Sequence, residues 1–338
     1  MNSTSMQQVD AIGRGELPSL EQVRDDVWAL AQAMPGGHLA YSFTYLLRER
    51  DGGVHVVDPG WDSDVNWNRL VAALAVVAPG TTGADVVTGI TGTHLHPDHV
   101  GMAARLRRES GAELGMHAVE RRALEKHSHR LLDLDEALGR LEAWGVPEQR
   151  RHELVQYVDR SPEGLVLAVD HELSDGDVLP VPGFGITVVS TPGHTAGHIC
   201  LRDDDRRLIL TGDHVLPTVF PGLGLGGVTS SNPLADYVAS IDLLHPFDGY
   251  EVLPGHGYRF SGLADRAAEC ADHQLKRARE VAVILGDAVS EQPTVWELAS
   301  RMTWTAGWDG LHGFQLLSAL SQTEMHRDFV HTNGAPAR

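Results

Sequence analysis

The chain has 338 residues, with 27 Lys and Arg against 46 Asp and Glu, so its formal net charge is −19. That length predicts about two domains, or one large domain with an appendage, and 42% apolar residues suffice for a substantial core. The acid surplus argues against a broad phosphate-binding surface, which needs Lys and Arg, and two cysteines, Cys200 and Cys270, are too few for a disulfide framework and point to a reducing compartment.

Residues 1–22 read as an N-terminal arm. They lack a basic stretch followed by an apolar one, and no run in the chain nears the ~18 apolar residues of a membrane span. A cytoplasmic protein without membrane contact is therefore expected. Strand-like runs follow at 27–34, 42–48 and 54–57, with Asp51-Gly52-Gly53 as a hairpin turn. Residues 65–77 have helical spacing and stop at Pro79-Gly80. A β-rich run at 86–91 leads into Thr93-His94-Leu95-His96-Pro97-Asp98-His99, followed by a helix at 100–108 and a strand at 113–117.

From 118 to 160 the pattern becomes helical, with Leu131, Leu134, Leu138 and Leu141 in register, which predicts two or three inserted helices. Strands return at 165–169, 186–190, 198–202 and 208–211. A helix at 233–244 has Ser231 or Asn232 as its cap. A strand at 250–253 ends in Pro254-Gly255-His256-Gly257, and a long helix covers 264–285. Residues 294–331 read as two or three short helices. Two groups of strands separated by helices predict two sheets packed face to face with helices outside, an α+β fold in four layers, αβ/βα.

Histidine is the unusual count, at 19. Its spacing carries the information. His94, His96, Asp98 and His99 fall within six residues at a strand end, where buried imidazoles would each need a polar partner. Neutral imidazole and carboxylate suit Zn²⁺, and a turn after a strand can direct alternate side chains at two neighbouring ions. Three more strand-end turns present a potential ligand beside a glycine: Pro192-Gly193-His194, Gly212-Asp213 and Gly255-His256-Gly257. One such turn means little; four together are a joint signal for a metal centre.

On these residues, with Asp58-Pro59-Gly60 as an early Asp turn, the stretch 27–285 resembles the metallo-β-lactamase superfamily of hydrolases. The resemblance implies a metallo-β-lactamase sandwich with a binuclear zinc site. One zinc falls to His94, His96 and His194, the other to Asp98, His99 and His256, and Asp213 bridges them. Iron or manganese are the alternative metals. Two such ions about 3.5–4 Å apart would share a hydroxide that attacks a polarised carbonyl or phosphoryl group, and Asp98 is the expected catalytic residue, steering that hydroxide. Asp58 is the expected orienting carboxylate by family position. Thr195 and His198 flank His194, and His214 follows Asp213; these three are weaker candidates for supporting the ligands or lining the substrate pocket. His38, His127, His129 and His312 have no ligand-like spacing. Gly222-Leu223-Gly224-Leu225-Gly226-Gly227 matches a dinucleotide-binding pattern but neither follows a clear strand nor opens a helix, so it reads as a loop near the metals.

The domain layout expected is an arm (1–22), a catalytic domain (23–287) with a helical insertion (118–160), and a small winged-helix-like domain (288–338). The insertion would cap the substrate cleft or form a homodimer contact. The acidity disfavours nucleic acid, and among the chemistries that the resemblance implies a small-molecule thioester, ester or lactone is the expected substrate, with the thioester preferred. A nuclease or phosphodiesterase, or an iron-dependent redox enzyme, on the same fold are the alternatives; His96 stands where the iron members often place a carboxylate, which favours zinc.

Overall fold

The computed structural model describes residues 1–36, 39–129, 134–158, 167–226, 229–287 and 292–336. The chain opens with β1 (Asn2–Ser3), α1 (Met6–Arg14), β2 (Glu21–Arg24), β3 (Val27–Ala33), β4 (Tyr41–Arg48) and β5 (Val54–Val57). Then come α2 (Asp64–Val77), β6 (Val87–Thr91), the single-turn α3 (Pro97–Val100), α4 (Ala103–Ser110) and β7 (Glu113–His117). The insertion holds α5 (Ala118–His129), α6 (Leu134–Ala143) and α7 (Glu148–Val158). The second half runs β8 (His171–Leu173), β9 (Ile186–Ser190), β10 (Ile199–Asp203), β11 (Leu208–Gly212), α8 (Pro233–Leu244), β12 (Glu251–Pro254) and β13 (Phe260–Ser261). Three helices close it: α9 (Leu263–Gly286), α10 (Val295–Arg301) and α11 (Gly313–Asn333).

The strands form a seven-stranded sheet in the order β2-β3-β4-β5-β6-β7-β8 and a six-stranded sheet in the order β1-β13-β12-β11-β10-β9. Alternation decides which side of each strand faces which layer. On β4, Phe43, Tyr45 and Leu47 point between the sheets and meet Val188, Leu201, Leu210 and Leu253 of the other sheet. Leu46 and Val56 point the other way, onto Leu70 and Leu74 of α2 and Leu106 of α4. On the six-stranded sheet, Cys200, Ile209 and Val252 face Tyr237 and Ile241 of α8 and Ala267 and Cys270 of α9. The result is the expected metallo-β-lactamase sandwich, helices outside two sheets.

Local structure departs from expectation in three places. The opening segment is built into both sheets: β1 pairs β13, and β2 pairs β3. Ser5 caps α1 by accepting from Gln8 N, and Gly15 ends it in the left-handed conformation. The strand expected at 165–169 lies partly outside the described residues, and β8 forms instead just after Asp170, whose carboxylate accepts from Leu114 N at 2.8 Å. After α9 the described residues form helices and no strand, and one of them, α11, is long. Leu316 and Leu320 of α11 and Val295 of α10 share a core with Leu141, Trp144 and Leu154 of the insertion, so these two distant stretches pack as one. Met325 and Phe329 of the same helix join the core beneath α8 and α9. His38, Leu131 and the side chains of His127 and His129 lie outside the described residues. No helix among the described residues is long and apolar enough to cross a membrane.

Candidate metal centre

The ligand turns all lie at one edge of the sandwich, after β5, β6, β9, β11 and β12. In the turn after β6, Pro97 opens α3, so that His96, Asp98 and His99 leave the backbone in different directions. Two glycines permit the remaining turns to close in. A Cβ on Gly212, at φ +47, would sit 2.7 Å from His198 Nε2, and one on Gly255 would sit 2.7 Å from His99 Cε1.

The seven expected ligand residues converge in two groups: His94, His96, His194 and Asp213; and Asp98, His99 and His256, with the donor atoms of each group within 4.8 Å of one another. In the first, His96 Nδ1 lies 2.9 Å from His94 Nε2 and 3.1 Å from His194 Nε2. In the second, His99 Nε2 and His256 Nε2 are 3.4 Å apart, and Asp98 Oδ2 is 3.2 Å from His256 Nε2. Asp213 divides its oxygens between them. Its Oδ2 faces His194 at 3.6 Å, and its Oδ1 faces His99 and His256 at 3.3 Å each.

The outward nitrogen of every ring meets an acceptor. His99 Nδ1 faces Asp58 Oδ2 at 2.9 Å, His256 Nδ1 the Tyr41 carbonyl at 2.6 Å, His194 Nδ1 the Gly222 carbonyl at 2.7 Å, and His96 Nε2 the Leu225 carbonyl at 3.0 Å. His94 Nδ1 faces the Thr93 hydroxyl at 3.0 Å, which spends its own proton on Asp58 Oδ2. These partners hold a proton on the outer nitrogen of each ring and turn the inner nitrogen toward the centre; in the first group, where all three rings are lowered, the inner nitrogens carry bare lone pairs. Bare lone pairs about 3 Å apart repel, and a cation between them removes that repulsion. The donor set therefore fits divalent metal in both groups.

The titration behaviour separates the two groups. Burial pulls His94 well below its ordinary range, and the neighbouring imidazoles add to this. Burial opposes ionisation of Asp213, yet His256 and His99 outweigh it and hold the carboxyl well below the usual range. Asp98 is brought to about 2 against its burial, by His99 and His256. Burial lowers His256 and His99, but Asp213 and Asp98 lift His256 to about 9 and His99 well above its ordinary range, so without a cation these two inward nitrogens carry protons that a bound metal would displace. Both carboxylates are thus ionised at neutral pH, as cation ligands must be.

Among the weaker candidates, Asp58 accepts from Thr93 N, from the Thr93 hydroxyl and from His99, so it supports both groups. His198 accepts from Asp213 N at 3.2 Å and bonds the Thr191 hydroxyl through Nδ1. The Thr195 carbonyl accepts from Gly193 N, bracing the His194 turn. The His214 ring is fully buried between His198 and Tyr237, facing away from solvent, and its nitrogens have no hydrogen-bond partner. The sequence reading missed Glu120. Its buried carboxylate takes Leu95 N at 2.8 Å and Gly197 N at 2.6 Å, tying the first ligand turn to the His194 loop. Nothing in its spacing marks it, because both partners come from other parts of the chain. It also missed Ser42, whose hydroxyl donates to the Asp98 carbonyl at 2.5 Å.

Residues 39–256 match the metallo-beta-lactamase superfamily, and the chain belongs to that superfamily. It is similar to an acyl-coenzyme A thioesterase of Homo sapiens, 34% identical over 110 residues that make up 31% of this chain and 37% of the relative. It is also similar to an atrochrysone carboxyl ACP thioesterase of Aspergillus fumigatus, 31% identical over 129 residues, 38% of each chain. A beta-lactamase-like protein 2 homolog of Caenorhabditis elegans shares 27% over 138 residues, 41% of this chain and 43% of the relative. The match thus spans less than half the length of these three relatives. Among solved structures, a metallo-beta-lactamase family protein from Thermus thermophilus superposes with a TM-score of 0.73 at 24% identity, covering 94% of this chain and 97% of its own.

Proposed function

We propose that the protein is a binuclear, zinc-dependent hydrolase of a small-molecule thioester, with esters and lactones as the nearest chemical alternatives. The observation that carries this is the convergence of seven donor residues in two groups that share Asp213. His94, His96 and His194 would hold one metal and Asp98, His99 and His256 the other, which when bound would supply a water activated near neutral pH and polarisation of the substrate carbonyl. The thioester preference rests on the two relatives named as thioesterases. The exposed side chain of Leu225, in the loop whose carbonyl holds His96, offers apolar contact to an acyl chain. Cys200 and Cys270, buried and unpaired, suit the reducing cytoplasm.

The chain's own contribution is placement and proton handling. Asp98 is ionised and less buried than the rings around it, so one carboxylate oxygen can take a hydrogen bond from the attacking water while His256 holds the other. Asp58, Thr93 and the carbonyls of Tyr41, Gly222 and Leu225 keep the imidazoles in one tautomer and orientation.

Metal analysis tests the reading first, and two zinc ions per chain is the expected result. A panel of acyl-CoA, S-lactoylglutathione, a homoserine lactone, nitrocefin and RNA should show turnover on the thioesters. Iron with oxygen consumption, or turnover of RNA alone, overturns it. Asp98→Ala should cut thioester turnover by a factor of roughly 10² to 10⁴, the range for losing a positioned proton acceptor; near-normal turnover in the metal-loaded variant removes Asp98 from the mechanism.

A further inference from the structure

Between β11 and α8 the described residues, 213–226 and 229–232, follow an irregular path. Within it, successive carbonyls bond in opposite directions. Those of Gly222 and Leu225 accept from the ligand rings His194 and His96. Those between and before them accept from helices on the far side. Gln322 Nε2 of α11 donates to Leu223 O at 2.8 Å, and Gln274 Nε2 of α9 donates to Pro221 O at 2.9 Å. Arg266 of α9, buried, reaches Leu216 O at 2.7 Å through Nε and Val219 O at 2.8 Å through Nη2. The loop backbone also pairs with the His194 turn, Gly224 N to Gly193 O and Leu225 N to His194 O, at 2.9 Å each.

We infer that Gln274 and Gln322 are positioning residues that set the metal affinity of the first group through His194 and His96, by way of the 221–225 stretch of the loop, and leave the second group untouched. Arg266 holds the part of the loop that packs on Gly257, beside His256, and is not assigned to either group. The inference rests on the metal centre proposed above. Loops without ladder hydrogen bonds have low local stability, so their few side-chain tethers decide their position. A cavity of about 480 Å³ lined by Leu223, Gly224, Arg140 and Met325 lies behind the loop and gives it room to move once a tether is lost. The second group is anchored elsewhere: His256 on the Tyr41 carbonyl of β4, and His99 on Asp58 after β5. Neither anchor touches α9 or α11. The arrangement makes the chain's last helix part of the metal site, though it contributes no ligand.

Cobalt binding in the full chain, measured under chelator competition and by its visible absorption, tests this. The parent chain should take two equivalents; fewer would overturn the binuclear reading and the inference with it. His256→Ala isolates the first group and His96→Ala the second. On the His256→Ala background, Gln322→Leu should weaken cobalt about tenfold and alter its spectrum, the low end of losses seen when outer support of a ligand is removed. On the His96→Ala background the same change should leave affinity within about twofold. Gln322→Glu keeps the shape but cannot donate to Leu223 O, so it should behave like Gln322→Leu even if one of the two is poorly folded. Thr323→Ala serves as the control. Among the described residues its hydroxyl bonds Ala319 O and Met302 Sδ and neither the loop nor a donor group, so the change should lower melting temperature without altering either affinity. Equal loss at both groups, loss in Thr323→Ala as well, or no loss in either Gln322 variant while the parent binds two equivalents refutes the positioning assignment.

Discussion

The two donor groups of the candidate metal centre are built from similar residues but supported largely by different parts of the molecule. His99 and His256 lean on Asp58 and on the Tyr41 carbonyl, both at the ends of strands in the seven-stranded sheet. His96 and His194 lean on carbonyls of a loop with no strand partners beyond the His194 turn, held from behind by α9 and α11. Strand ends inherit the rigidity of a sheet whose every ladder bond must be broken together; a loop has only its individual tethers. The lesson is that one donor group is held by the sandwich itself, while two rings of the other, His96 and His194, rest on a loop that helices later in the chain hold in place.

The largest effect should come from the residue common to both halves. Asp213→Ala removes an ionised oxygen from each group and leaves the imidazoles of both without their shared partner. Both metal equivalents should weaken strongly and turnover should fall by roughly 10³-fold or more, by analogy with loss of a charge-stabilising group. Retention of two tightly bound metals in this variant would dissolve the idea of a bridge.

Asp58→Asn should be smaller and asymmetric. It disturbs His99 directly and His94 only through Thr93, so the second group should lose roughly 10–100-fold in metal affinity and the first less. Chelator competition on the single-group backgrounds reads this out, and a larger loss at the first group would reverse the comparison drawn above.

The last effect falls on the stability of the helix behind the loop and leaves the donor groups themselves unchanged. His326 is buried on α11, with Nδ1 against the Gln322 carbonyl at 2.6 Å. Burial lowers it to about 4; the Gln322 and Gln274 backbones oppose this, and the Arg277 and His273 side chains on α9 reinforce it. The folded chain therefore refuses a proton that the unfolded chain accepts below about 6.5. Its contribution is fully present above that pH and is lost as pH falls toward about 4, by roughly 3 kcal/mol at most. Urea denaturation between pH 7 and pH 4 should show a shallower decline in His326→Leu than in the parent; parallel curves would show that this ring does not govern the acid response.

How much could be read in advance follows from the range of the interactions. The ligand turns were legible because each is local: a strand end, a glycine or proline that bends the backbone, and a donor beside it, as in Gly212-Asp213 or His96-Pro97-Asp98. The sandwich was legible for the same reason, since alternation along β4 and helical spacing along α2 are properties of neighbouring residues. The first 22 residues, read as an arm, carried their own helix signals in Ser5 and Gly15, but their place at the edges of two sheets depends on β3 and β13, far away in the chain. Glu120 was invisible because its value lies in two amides, Leu95 and Gly197, that approach it only after folding. Gln274 and Gln322 look like ordinary polar residues on helices, and the glycine-rich stretch 222–226 looked like a loose loop. By itself, then, the sequence determined which side chains would converge into two groups that could hold metal, because ligand chemistry and turn chemistry are written in adjacent residues. Only the tertiary structure decided how those side chains are held, because the second partner of each hydrogen bond comes from a distant part of the chain and no local pattern encodes it.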